Sequence, residues 1–165
     1  MESAVSVKFI LSSDGAIEPT KAHPGDAAYD LYSPKESFLA PGDTELINTG
    51  VALELPEGYA GLVLARSGLA LKEGVTIPNA PGLIDSGYRG DVGVILHKLV
   101  GFDDRVPKSE VVDGVRVHDE NIYHVHAGDR IAQLLIVKLD NVSLTRAAWL
   151  SHSERADGGF GSSGR

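Results

Sequence analysis

The chain contains no cysteine. Disulfides and thiolate chemistry are therefore excluded, and a reducing compartment suits it. Positive charge is also scarce: 15 Lys and Arg stand against 23 Asp and Glu, a formal net charge of −8. A balance of that sign argues against nucleic acid as the main partner, because duplex binding wants a basic face. A small polyanion is not excluded, since a few local cations with a divalent metal can hold one. No apolar run approaches the roughly 20 residues of a membrane helix, so no membrane role is expected. Met1 to Val5 shows no basic region followed by an apolar core, so no secretion signal is read there. The expectation is a soluble, cytoplasmic protein.

What is present points to one β domain. With 165 residues, 42% of them apolar and 23% charged, the chain can bury a core but is short for two domains. Val5 to Leu11, Ala27 to Ser33, Thr44 to Ile47, Val51 to Leu55, Tyr59 to Leu64, Val75 to Ile77, Asp91 to Leu96, Ile122 to His126 and Ile131 to Leu139 read as strands. Turns such as Pro41-Gly42-Asp43 and Pro56-Glu57-Gly58 separate them. Only Arg66 to Glu73 has a helical look, about two turns long. Many short strands with turns between them predict an all-β barrel or sandwich. Residues 1–150 are read as this core. Leu99 to Asn121 is charged, weakly patterned and long for a connection, with a possible hairpin centred on Val112 to Val115. Residues 151–165 form a glycine-rich tail, expected to be mobile without a ligand.

Several stretches carry candidate chemistry. In Gly82 to Gly90, glycines surround Asp85, Tyr88 and Arg89, which fits either a backbone that approaches a ligand closely or a plain β-hairpin turn. Arg66-Ser67-Gly68 offers a guanidinium, a hydroxyl and free N–H groups to an anion, or Ser67 simply caps a helix. Gly128 to Leu134 is a turn into a strand, where Asp129 and Arg130 could pair at the surface and Gln133 face solvent. The tail sets Arg155, Gly161, Ser162 and Ser163 around Phe160, suited to wrapping phosphates under an aromatic face. It lacks the Gly-Lys-Ser/Thr ending of a P-loop, and a flexible linker is the alternative. His124-x-His126 puts two rings on one strand face without an evident third metal ligand. Trp149 reads as a packing residue.

Together these stretches resemble the five motifs of the homotrimeric dUTPase family, in the family's order along nearly the whole chain. Ala27 to Ser33 is similar to the first, Ala65 to Ala70 to the second and Gly82 to Gly90 to the third. Gly128 to Leu134 is similar to the fourth and Arg155 to Gly164 to the fifth. The resemblance implies a distorted β jelly roll, a three-fold trimer with sites at subunit junctions, and hydrolysis of dUTP to dUMP and pyrophosphate with Mg²⁺ on the triphosphate. It implies that Asp85 is the general base acting on water. Asn79, Leu83 and Ile84 would read uracil, with Tyr88 under the deoxyribose, Gly93 in contact through its backbone, and Phe160 closing the site. Arg66, Ser67, Gly68, Gln133, Arg155, Gly161, Ser162 and Ser163 would hold phosphates. Asp30 would order metal-bound water or the sugar region rather than bind the ion, so no direct metal ligand is expected.

Three departures from the family pattern stand out. Ala156 occupies a position that is often glycine; if φ is positive there, tail closure loses about 1 kcal/mol. Gly93 replaces a residue that often carries a side chain. The 99–121 segment is longer than the usual connection and is read either as a tolerated insertion or as a site for a partner protein. The rival activities are a dCTP deaminase of the same fold, disfavoured because the third motif holds no extra carboxylate, and a nucleotide-dependent regulatory protein acting through that insert.

Overall fold

The computed structural model describes residues 5–101, 110–112, 115–117 and 122–157. Twelve short strands and one helix account for the regular structure of these residues. They are β1 (Lys8–Leu11), β2 (Tyr29–Tyr32), β3 (Ser37–Leu39), β4 (Thr44–Glu54), β5 (Tyr59–Leu64), α1 (Ser67–Glu73), β6 (Val75–Thr76), β7 (Gly82–Ile84), β8 (Asp91–Lys98), β9 (Glu110–Val112), β10 (Val115–Val117), β11 (Tyr123–Val125) and β12 (Arg130–Lys138). Two four-stranded sheets, ordered β1-β4-β8-β6 and β2-β12-β5-β7, make the body, and every pairing is antiparallel. Shorter pairs join β3 to β11 and β9 to β10. The all-β expectation holds.

Alternation builds the core. Strand β8 buries every second residue, Val92, Val94, Leu96 and Lys98, and strand β4 answers with Ile47 and Val51. From the other sheet come Leu31, Val63, Ile131 and Leu134. Each such aliphatic side chain contributes roughly 1.5–3 kcal/mol, so a one-residue slip of β8 would be heavily penalised.

The register differs from the expectation in instructive places. Thr44–Glu54 is one strand, not two. Its ladder with β8 shifts between Asn48 and Ala52, and Gly50 there has a φ of +70°. Glycine thus lets the chain bulge without ending the strand. Buried Thr49 staples the bulge: its hydroxyl donates to the Val92 carbonyl (2.8 Å) and accepts from the Val51 N–H (3.3 Å). Strands β3 (Ser-Phe-Leu) and β7 (Gly-Leu-Ile) hold no run of β-branched residues to mark them in sequence. In the long connection, β9 and β10 do pair, with Val112 opposite Val115; residues 102–109, 113–114 and 118–121 lie outside the described residues.

Candidate active site

The glycine-framed turn is not a hairpin. Strand β7 pairs with β5 in one sheet, whereas β8 pairs with β4 and β6 in the other. The turn between them therefore crosses from sheet to sheet and leaves a cleft. Its frame is local: the Tyr88 N–H donates to the Asp85 carbonyl (3.0 Å), and Arg89 Nη1 donates to the Ser86 and Tyr88 carbonyls (2.6 and 2.8 Å). The Tyr88 hydroxyl donates to the Asp91 carbonyl at 3.0 Å.

A cavity of about 200 Å³ opens here, and Asn79, Leu83, Ile84, Asp85, Tyr88 and Gly93 all line it. Ile84 is buried, while Asp85 and Tyr88 are exposed, so an apolar wall meets a solvated carboxylate. Gly93 leaves room for the neighbouring strand: a Cβ there would lie 2.7 Å from Leu46 Cδ1 and 3.3 Å from Asn48 Oδ1. Asp91 also lines the cavity and accepts a 2.5 Å hydrogen bond from the Ser12 hydroxyl. Sequence reasoning passed over Asp91 because it reads as a strand boundary.

A second cluster gathers the cationic candidates. Arg66 is the N-cap residue of α1 and Ser67 its first helical residue, with no side-chain capping bond; the reading of Ser67 as cap is corrected. Strand β12 sets Gln133 opposite both Asp30 of β2 and Leu64 of β5. Asp30 is buried, and both its oxygens are committed. Oδ1 faces Arg66 Nε at 3.8 Å, and Oδ2 accepts from Arg130 Nη1 at 3.2 Å. Arg66 Nη1 further donates to the Arg130 carbonyl at 2.5 Å. The expected role of Asp30 toward metal-bound water thus meets a carboxylate already holding two arginines. Nor do Asp129 and Arg130 pair with each other: Asp129 instead accepts from the His126 N–H at 2.9 Å, because the tight turn brings those two together. Tyr123, near the same cluster, has its phenol pushed up from its ordinary value by burial first, then by Asp129 and Glu73, with Arg66 opposing.

The two clusters lie far apart within one protomer. Asp85 follows Ile84, which pairs with Gly61, whereas Arg66 lies beyond Leu64 at the opposite end of β5. Some six extended residues at about 3.3 Å each separate these levels by roughly 20 Å. Arg66 also turns toward β2 and β12, on the side of β5 away from β7.

Arg155 is described and exposed, but Phe160, Gly161, Ser162 and Ser163 lie outside the described residues. Ala156 has a φ of +46°, the one positive value among described non-glycine residues. Trp149, expected to pack, is 83% exposed within one protomer, because the segment after β12 runs without a partner strand in this chain. The His124 and His126 rings contact each other, with centroids 3.8 Å apart, and Phe38 stacks on His124 at 4.2 Å. No group of three or more ligating side chains occurs among the described residues.

Comparison with known proteins adds a family. A model described as dUTPase matches residues 14–112 and 103–164. A deoxyuridine 5'-triphosphate nucleotidohydrolase of Solibacter usitatus is 44% identical over 152 residues, covering 91% of this chain and 90% of the relative. A mutant dUTPase of Staphylococcus bacteriophage 80alpha, solved with dUpNHpp, superposes with a TM-score of 0.82 at 32% identity, covering 98% of this chain and all of that one. A mutant dUTPase from phage phi11 of S. aureus, described as coordinating a structural Mg(II) ion, superposes with a TM-score of 0.74 at 30% identity, over 88% of this chain and 98% of the other.

Proposed function

The chain belongs to the dUTPase family, and from that premise we propose how its own residues hydrolyse dUTP to dUMP and pyrophosphate. One observation supports this most: a single cavity gathers Asn79, Leu83, Ile84, Asp85, Tyr88 and Gly93 from two chain segments. Uracil enters between β7 and β8, where the Asn79 amide and the backbone at Leu83 and Ile84 pair with its edge. The confined cavity rejects a 5-methyl group by clash. Tyr88 lies under the deoxyribose and excludes a 2'-hydroxyl. Asp85, on a solvated turn, orients a water and takes its proton as the oxygen attacks the α-phosphorus. The bond from that phosphorus to the bridging oxygen breaks, and pyrophosphate leaves.

Arg66, Ser67, Gly68 and Gln133 receive the phosphate oxygens, joined by Arg155 and by Phe160, Gly161, Ser162 and Ser163 of the tail. Asp30 serves them by holding Arg66 and Arg130 in place. The roughly 20 Å between the levels of Asp85 and Arg66, with Arg66 turned toward β2 and away from β7, supports a complete site that takes its two halves from different subunits of a homotrimer. Leu144, Trp149 and Leu150, 99%, 83% and 90% exposed in one protomer, support such covering by neighbours.

The donor set suits Mg²⁺ only as an ion carried by the substrate. Of the two carboxylates at the cavity, Asp91 accepts from Ser12 and Asp85 stands on the solvated turn, while Asp30 is engaged by arginines; phosphate oxygens and water would supply most of the ion's ligands. The ion's contribution is to neutralise charge on the triphosphate. No described helix is long and apolar enough to cross a membrane, and a cytoplasmic location fits a chain without cysteine. The test is pyrophosphate release from dUTP, with dCTP as the competing substrate. Asp85→Asn and truncation before Arg155 should each lower turnover by orders of magnitude while leaving the oligomer folded. Ammonia from dCTP, or an unimpaired Asp85→Asn enzyme, would refute the assignment.

A further inference from the structure

Gly90 has no positive φ. Its backbone is one that any residue adopts, so conformational freedom does not explain the glycine. Space does. A Cβ at position 90 would lie 2.5 Å from Tyr88 Oη, 2.7 Å from Cζ and 3.1 Å from Cε2, well inside the roughly 3.5–4.0 Å of ordinary carbon contact. The phenol ring has folded back over its own chain onto residue 90, and its hydroxyl is fastened to the Asp91 carbonyl at 3.0 Å. A tyrosine ring is rigid beyond χ2. A methyl beneath it cannot be absorbed by bending one end, so the ring must swing away as a body and give up the Asp91 bond.

We propose that Gly90 determines sugar specificity by leaving the empty seat on which the Tyr88 ring rests, so that the ring forms the floor of the cavity. This deepens the reading of Tyr88 given above and rests on it. Gly90 touches neither the nucleotide nor the attacking water; it is a positioning residue that acts through the ring. Filling the seat lifts the ring and opens room beside the sugar, which a ribonucleotide would use.

The experiment compares kcat/KM for dUTP and UTP in the wild type, Gly90→Ala, Tyr88→Ala and the double variant. Gly90→Ala should lower the dUTP-to-UTP ratio roughly tenfold or more. In the Tyr88→Ala background the same change should have no further effect, because no ring remains to displace. General damage to the fold would slow both substrates alike and leave the ratio unmoved, which would overturn the proposal. So would a ratio that relaxes in Tyr88→Ala but not in Gly90→Ala, or additive effects in the double variant. If Tyr88→Ala itself leaves the ratio unchanged, the reading of Tyr88 fails and takes the proposal with it. Should Gly90→Ala not fold, recovery of folding in the double variant would still place the clash at the ring. Failure of both to fold would place it in the backbone and refute the proposal.

Discussion

Ala156 offers a quantitative test of the tail's role, because its strain is visible. Its φ of +46° lies in the left-handed region, and its N–H donates to both the carbonyl and the hydroxyl of Ser153, each at 3.1 Å. The left-handed conformation costs an L-residue roughly 1–2 kcal/mol, which glycine does not incur. Glycine also frees the open tail, which returns roughly 0.5–1 kcal/mol to the unclosed state. The first effect wins by roughly 0.5–1 kcal/mol, so Ala156→Gly should favour the turn about two- to fivefold. If this turn begins tail closure, the KM for dUTP and the dissociation constant of a non-hydrolysable imido analogue should fall by that factor. Steady-state kinetics and calorimetry measure both, with a chain truncated before Arg155 as the reference that has no tail to close. Unchanged or weakened affinity would refute the link between the turn at Ala156 and closure.

Other consequences are equally direct. Asp30→Asn removes the charge that holds Arg66 and Arg130, and a loss of about 2 kcal/mol is expected because Arg130 is a charged donor to it and Arg66 forms an ion pair with it. Thermal denaturation should show a Tm lower by roughly 4–8 °C, and KM for dUTP should rise while inhibition by deoxyuridine is unaffected. Thr49→Val strips the hydroxyl from the β4 bulge and strands the Val92 carbonyl, with an expected cost of about 1–2 kcal/mol in chemical denaturation. Gly93→Ala presses on Leu46, whose 55% exposure lets it swing outward. Stability should change by less than about 1.5 kcal/mol while KM rises as the cavity lining shifts.

Much of this site was legible before the fold was known, for a physical reason. Apart from Val63 and Ile77, the cavity's residues fall within two short stretches, Asn79 to Tyr88 and Asp91 to Ile95 of β8, and a turn crossing between sheets holds them together by local geometry. Strands were legible where runs of β-branched and apolar residues were bounded by turn residues, as in β8 and β12. It failed at Gly50, where a glycine that looked like a break instead accommodates a bulge in a continuous ladder. The partners of Asp30 were not legible, since Arg130 is 100 residues away and only the β2-β12 register brings the two together. The roles of Asp91 and Gly90 were not legible for a related reason: one matters through its carbonyl, the other through what it lacks.

The claim on which the account turns is that Asp85 and Arg66 act on one nucleotide from two different chains. Asp85→Asn and Arg66→Ala subunits, each inactive alone, can be unfolded together, refolded as mixed oligomers and assayed for pyrophosphate release. Sites shared between subunits predict recovery of about one quarter of wild-type activity at equal mixing, because one pairing in four joins two intact halves. Mixed oligomers as inactive as either parent would show that each chain carries its whole site, and the account would be wrong.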